Sequence, residues 1–332
     1  MSQFWLRTRE VAEEQETHFL APGAMRSANA SPRANPEEQD MWRTAFERDQ
    51  DRIVHSKAFR RLKHKTQVFM NPEGDHYVTR MTHTLHVTQV GRAIANALSL
   101  NVALAEAVCL GHDVGHSPFG HTGEDALSEF VDGEWHHSEQ SVRIFEVLEP
   151  LNLTPEVLSG IRTHPWKVAE RATTHEGDVV KFADRIAYLA HDALDAMRAG
   201  VLDQSSFPNN VVRAFGEPGR EWVASMVQAV IDESYRQSQI VMEPAKLEAM
   251  QELRAFMFER VYLRPEVENQ QRRAKEIVRS LVTYYLEHLD QLPDSYQHPE
   301  ADDLTQVIDF VAGMTDRYAI RVHDELFRPR LF

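Results

Sequence analysis

Apolar residues recur at three- and four-residue steps through most of the chain, the spacing of helices that bury one face. In 81–99 (MTHTLHVTQVGRAIANALS) Leu85, Val90, Ile94, Ala97 and Leu98 mark such a face. The stretch 102–113 (VALAEAVCLGHD) is almost continuously apolar and predicts a buried helix ending near Gly115. Thr154-Pro155 reads as an N-cap followed by proline at the first helical position, where the missing N–H costs nothing. Helical periodicity continues through 178–199, 245–260, 265–291 and 301–325. Strand-like alternation is scarce, and no period of 20–50 residues repeats. The expectation is an all-α fold, a helical bundle with additional C-terminal helices.

Two segments interrupt the pattern. Residues 20–39 (LAPGAMRSANASPRANPEEQ) are rich in Ala, Ser, Pro and Asn and predict an ordered strap or a disordered arm. Residues 203–220 contain Pro208, Pro218 and Gly219 and separate a histidine-rich part from later helices. The expected organisation is an N-terminal arm and lead-in helix over 1–50, a core over 51–200, and a C-terminal helical part over 201–332 packed on that core.

Composition narrows the class. With 332 residues the chain can bury a sizeable core, and 42% hydrophobic and 26% charged residues are ordinary for a globular protein. No run reaches the roughly 18 apolar residues a membrane span needs, and the first residues lack the apolar region of a signal peptide. The single cysteine, Cys109, excludes an intrachain disulfide. A cytoplasmic protein without membrane contact is the expectation. The net charge of −15 argues against a general nucleic-acid coat. Yet Arg52 to Pro72 holds no acidic residue and six cations: Arg52, Lys57, Arg60, Arg61, Lys63 and Lys65. That segment reads either as a solvated helix face or as an anion site for an allosteric nucleotide, a single-stranded nucleic acid or a neighbouring subunit.

Histidine carries the strongest signal, since 11 of 17 lie between His76 and His191. His112-Asp113 ends the apolar stretch between Gly111 and Gly115, where a helix end lets adjacent side chains converge and where a carboxylate calls for a compensating cation. Taken singly, His83 reads as a hydrogen-bonded core histidine, and Asp184 as a carboxylate paired with Arg185 or a helix N-terminus.

Together these residues form H…HD…D at spacings of 29 and 71 residues, which resembles the HD superfamily of phosphohydrolases. The resemblance implies an HD-domain bundle whose His83, His112, Asp113 and Asp184 bind one divalent ion. Imidazole plus carboxylate without thiolate suits Mn, Mg, Fe, Co or Ni rather than structural zinc, with open positions for water and a phosphate oxygen. DRIVHSKAFRRLKHKTQVF (51–69), TRMTHTLHVTQVGRAI (79–94), GHDVGHSPFGHTGEDAL (111–127), KFADRIAYLAHDALDA (181–196) and DFVAGMTDRYA (309–319) resemble, more narrowly, the deoxynucleoside triphosphate triphosphohydrolases. That family releases deoxynucleoside and tripolyphosphate.

Further roles follow from the same resemblance. His121 and Glu124 match a catalytic dyad, the carboxylate orienting an imidazole. His137, preferred over His136, matches a histidine that protonates the leaving 5′ oxygen. Arg80 and Arg185 match phosphate-neutralising cations, and His116 follows the HD pair closely enough to face the same ion. Tyr188 matches a tyrosine beneath the sugar, Asp192 and Gln67 contacts to its 3′-hydroxyl, and Tyr262 a residue approaching the base. The implied partners are a dNTP substrate and further copies of the chain, as a hexamer or tetramer. The alternatives are an HD 5′-nucleotidase or another nucleotide phosphohydrolase, a non-catalytic nucleotide sensor, and a single-stranded nucleic-acid binder.

Overall fold

The structure, a computed structural model, describes residues 4–67 and 78–329; residues 68–72 of the acid-free segment, and His76, lie outside them. Fifteen α-helices are present among the described residues, and the one β-bridge joins Thr66 to Thr79. The fold is all-α.

Helix α1 (Arg9–Phe19) leads into the 20–39 segment, which is an ordered strap. Two carboxylates hold it: half-buried Glu16 accepts from the Ser27 backbone N–H at 2.6 Å and buried Glu176 from that of Met25 at 3.0 Å. Arg33 then pairs with Asp49 at 2.5 Å. Thr44 and Glu47 close a capping box at the start of α2 (Ala45–His55). The short α3 (Lys57–Arg61) follows.

Helices α4 (Arg80–Ala97) and α5 (Val102–Gly111) pack side by side. The buried face of α4 is Arg80, His83, Thr84, Val87, Val90, Gly91, Ile94 and Ala95. Leu85 and Ala97, expected inside, are exposed. The true stripe starts from Arg80 and His83, so polar residues share the face that an apolar-only count misplaces. Short helices α6 (His121–Ser128), α7 (His137–Arg143) and α8 (Pro155–Thr163) surround the end of α5. The 24-residue α9 (His175–Arg198) crosses α4, α5 and α8.

Close helix approach brings the histidines together. A Cβ on Gly91 of α4 would sit 2.6 Å from the Cys109 sulfur of α5 and 3.7 Å from the Ala183 Cβ of α9. Gly115 does the same for the turn after α5, because a Cβ there would meet the His137 carbonyl oxygen and the Ser141 nitrogen at 2.3 Å.

The 203–220 segment is not wholly irregular, since α10 (Asn209–Phe215) lies within it. Helices α10, α11 (Arg220–Gln237) and α12 (Pro244–Met257) contribute Val211, Phe215, Trp222, Met226 and Leu253 to the same hydrophobic core as α2, α4, α5, α8 and α9. A second core forms from α13 (Pro265–Glu287), α14 (Asp303–Ala312) and α15 (Asp316–Phe327) around Phe119, Leu127 and Trp135. The expected 301–325 helix is two helices, broken at Gly313 to Thr315 where Thr315 caps α15 through the Tyr318 N–H. The second core is tied to the first by charge. Asp309 accepts from Arg143 at 2.6 Å and from Gln140 at 2.8 Å, and Asp316 accepts from the backbone of Thr66 and Phe119.

The acid-free segment is spent largely on this architecture. Arg52 donates to the Leu151 and Asn152 carbonyls, Arg61 to Tyr296 and the Gly313 carbonyl, and buried Lys65 to the His116 and Ala312 carbonyls. Lys57, Arg60 and Lys63 remain at the surface. No helix among the described residues is long and apolar enough to cross a membrane.

Gly91→Ala should lose about 1–3 kcal/mol of stability, the usual cost of overpacking, despite alanine's better helix propensity. Adding Cys109→Ala, which removes the clashing sulfur, should recover most of it in urea denaturation. Equal stability of Gly91→Ala and the parent would contradict the close approach.

Candidate active site

Helix ends and helix faces converge on the Asp113 carboxylate. The backbone turns at His112, the residue after α5, and its imidazole Nε2 comes 3.3 Å from Asp113 Oδ1. From α4, His83 Nε2 lies 3.1 Å from Asp184 Oδ1 of α9 and 3.8 Å from Asp113 Oδ2. His112 Nε2 is 3.9 Å from the same Asp184 oxygen. The four residues expected as ligands therefore meet, although His83 comes from α4, Asp184 from α9 and the other two from the turn after α5.

The donor set fits a divalent ion. His112 Nδ1 lies 2.6 Å from the Cys109 carbonyl oxygen, which can only accept, so the ring proton sits there. That leaves a lone pair on Nε2, which is buried without a hydrogen-bond partner and faces two carboxylates. A cation resolves the conflict, and ligand atoms of His83, His112 and Asp184 lie within 4.8 Å of one another. Burial works to raise the Asp113 carboxyl, yet the neighbouring imidazoles and Arg80 hold it well below the usual carboxylate range.

Arg80, expected at the phosphates, lies buried beside Asp113. Its guanidinium pairs with Asp113 at 2.6 Å and donates to the Thr66 carbonyl at 3.2 Å, so it is committed to the metal-side carboxylate and to the chain leading into α4. Beyond Asp113, Glu124 is the hub of three imidazoles. His116 Nδ1 makes a short contact with it, His137 Nδ1 lies 3.1 Å away and His121 Nδ1 3.5 Å. The expected His121–Glu124 dyad is thus one spoke of a larger cluster. Of the three rings, His121 alone is open, its side chain 76% exposed. His116 and His137 are buried and stacked at 3.7 Å. His137 rather than His136 faces Glu124.

Sequence reasoning missed two residues. His164, which follows α8, places Nε2 3.1 Å from His137 Nε2; its only signal was membership of the histidine cluster. Arg254 of α12 interacts with Tyr188 and with Arg185; nothing in its surroundings in the sequence marked it.

Along α9, Asp184, Tyr188 and Asp192 form one stripe, as their spacing requires. Arg185 is buried, its guanidinium 3.7 Å above the Trp166 ring and its Nε without a hydrogen-bond partner. Tyr262 ends the turn after α12 and donates to Asp192 at 2.7 Å. Gln67 is half-buried with an unpartnered Oε1. Burial raises Asp192 to about 7, against the opposing hydrogen bond from Tyr262.

Comparison with known proteins shows the family. Residues 80–189 match the HD domain and residues 240–325 the phosphohydrolase-associated domain. The chain is 44% identical over 335 residues to a deoxyguanosinetriphosphate triphosphohydrolase-like protein of Caldanaerobacter subterraneus subsp. tengcongensis, covering 98% of this chain and 97% of that one. It is 44% identical over 344 residues to a protein of the same description from Desulfatibacillum aliphaticivorans, covering 97% and 98%. Another from Clostridium perfringens is 40% identical over 338 residues, covering 98% and 99%.

Because folding raises the Asp192 pKa, the stability this group contributes is complete below its unfolded value near 4 and is lost as pH rises through about 7. The parent protein should therefore weaken between about pH 4 and 7 relative to Asp192→Asn, by up to a few kcal/mol in urea titrations. Parallel pH profiles for the two proteins would show that Asp192 titrates normally.

Proposed function

The chain belongs to the family of deoxyguanosinetriphosphate triphosphohydrolase-like proteins, and from that premise we propose that it hydrolyses deoxynucleoside triphosphates, dGTP among them, to deoxynucleoside and tripolyphosphate. One observation carries the reading. A single face of α9 presents a metal ligand, a tyrosine and a buried hydroxyl acceptor at four-residue intervals, with Arg185 and Arg254 beside them. That is the order of groups along a nucleotide from its phosphates to its 3′-hydroxyl.

His83, His112, Asp113 and Asp184 would hold the divalent ion. Such an ion supplies Lewis-acid polarisation of a phosphoryl oxygen and a more acidic water. Arg185 and Arg254 neutralise the phosphates; stacking on Trp166 orients Arg185 without cancelling its charge, as a carboxylate partner would. Water adds to the α-phosphorus, the bond to the 5′ oxygen breaks, and the leaving oxygen takes a proton. His121 delivers it in place of His137, the donor the resemblance implies, whose ring is buried: Glu124 orients the His121 Nδ1, and the exposed ring can exchange protons with solvent. Tyr188 closes the space beside C2′, while Asp192, with Gln67, receives the 3′-hydroxyl. The ordered Tyr262–Asp192 hydrogen bond supports that assignment by fixing the acceptor. A cytoplasmic location and assembly into a homo-oligomer are proposed with the activity. Lys57, Arg60 and Lys63, the cations left at the surface, are the place for an activating nucleotide or a single-stranded nucleic acid.

Chromatography of a dGTP digest should give deoxyguanosine and tripolyphosphate with no dGMP or dGDP; dGMP with pyrophosphate would refute attack that expels the 5′ oxygen. His121→Ala should bind nucleotide but turn over about 10²–10⁴ times more slowly, and a loss under tenfold would remove His121 from the reaction.

The sugar contacts are tested separately. A ribose hydroxyl forced against Tyr188 costs on the order of 1–3 kcal/mol, so dGTP should exceed GTP in kcat/KM by roughly 5- to 150-fold. Tyr188→Ala should narrow that ratio. Equal kcat/KM for the two sugars in the parent would sink the sugar gate and leave the metal site untouched.

A further inference from the structure

The arm before α1 and the loop before α2 leave an apolar surface uncovered. Trp5 is 98% exposed and Leu6 75%, while Met41 is 68% and Trp42 49% exposed. The two stretches lie side by side, since the Arg9 N–H donates to the Met41 carbonyl at 2.9 Å and Arg7 reaches Glu47 at 3.1 Å. Exposed Val11, in the first turn of α1, extends the surface. Helix α1 itself buries only Ala12 among its 11 residues. A helix so short is marginal in water unless one face is packed, so α1 and its arm call for contact beyond their own chain.

Size and composition describe a protein partner. Trp5, Leu6, Val11, Met41 and Trp42 together expose on the order of 600 Å². The largest apolar patch of a typical monomer is about 300–600 Å², and each side of a standard interface contributes about 800 Å². Tryptophan, methionine and arginine are the residues enriched where such interfaces are tightest.

Charge decides which protein. Three arginines border the patch, and each is already paired: Arg7 with Glu47 at 3.1 Å, Arg9 with Glu13 at 2.5 Å, and Arg43 with both Asp40 and Asp51 at 2.6 Å. No excess of cations is left for a phosphate backbone or an anionic lipid surface. The whole chain carries −15, so two copies repel where their acidic surfaces face each other. A border that alternates Arg7 and Arg43 with Glu10 and Asp51 avoids this, because a two-fold axis can set the cations of one copy against the carboxylates of the other.

We propose that Trp5, Leu6, Met41 and Trp42 form the core of a two-fold interface with a second copy of this chain. The two tryptophans are its anchors, and Arg7 and Arg43 stand at its rim. The inference rests on the homo-oligomer proposed above, whose contact it names, and is independent of the nucleotide chemistry.

Sedimentation velocity of the full chain without nucleotide is the test. The parent should assemble from an even number of chains. Trp5→Glu/Trp42→Glu should halve that number, weakening association by roughly 30-fold or more, the usual effect of losing interface hot spots. Cross-linking is the second measurement and holds even should the double variant fail to fold. Cys109 is the single cysteine and is buried, so Leu6→Cys adds the one accessible thiol, and a short bis-maleimide should join two such chains. A monomeric parent would overturn both the homo-oligomer and this interface, whether or not the patch captures single-stranded DNA or anionic vesicles. An oligomer whose size the folded double variant leaves unchanged would keep the homo-oligomer and overturn this surface, as would the absence of joined Leu6→Cys pairs. Neither readout involves turnover, so a chain that assembles as described yet hydrolyses no dNTP would sink only the proposed activity.

Discussion

A carboxylate buried at the meeting point of three helices, a turn and a ring of imidazoles is the constraint on which this molecule turns. Asp113 has almost no access to solvent, and Arg80 balances only one of its oxygens. An uncompensated charge in such a place is costly, and water cannot relieve it. The surroundings answer with imidazoles whose Nδ1 atoms are tied to helix-end carbonyls or to Glu124, so that each Nε2 turns inward. Backbone hydrogen bonding thus chooses the tautomers, and the tautomers make a cation site.

The scaffold exists to hold that geometry. Gly91, Cys109 and Ala183 let α4, α5 and α9 approach closely enough for His83, His112 and Asp184 to reach one centre. Gly115 lets the following turn press against the start of α7, which sets His137 beside Asp113. The C-terminal helices support the site from outside. Asp316 gathers the backbone of Thr66 and Phe119, and Lys65 binds the carbonyl of His116, so the loop carrying His116 and His121 is fixed from its far side. This explains why the 309–319 segment resembles the same family as the histidine motif, although it contributes no ligand.

Charge is divided by function along α9. Toward the metal the helix offers Asp184, whose partners are imidazoles; further along it offers Asp192, whose partner is a phenol. Burial pushes both carboxylates up, and their neighbours decide the net direction. Imidazoles hold Asp184 ionised, whereas Asp192, facing a neutral hydroxyl, is raised to about 7. The first is suited to a cation and the second to a neutral hydroxyl-bearing ligand.

Much of this was legible in the sequence because it is local. Three- and four-residue periodicity marks helices whatever they pack against, and the stripe Asp184–Tyr188–Asp192 follows from helix geometry alone. The His112-Asp113 turn between glycines was equally visible. Where sequence reasoning failed, the deciding contacts were distant. Leu85 was placed inside because it is apolar, but the buried face of α4 is chosen by the need to bring Arg80 and His83 to Asp113, 33 and 30 residues away. The Arg80–Asp113 pair joins positions 33 residues apart, and in the acid-free segment, read as a solvated face or an anion site, Lys65 and Arg61 are anchored to carbonyls more than 200 residues further on. His164 carried no local mark at all. Its ring direction is fixed by a carbonyl at the end of α8, and its meaning by His137 on another helix. The sequence by itself determined which segments coil and which residue types can bind a cation. Tertiary structure decided which lone pairs face one another, because a helix fixes the direction of its own side chains but only packing brings a second helix within 3–4 Å of them.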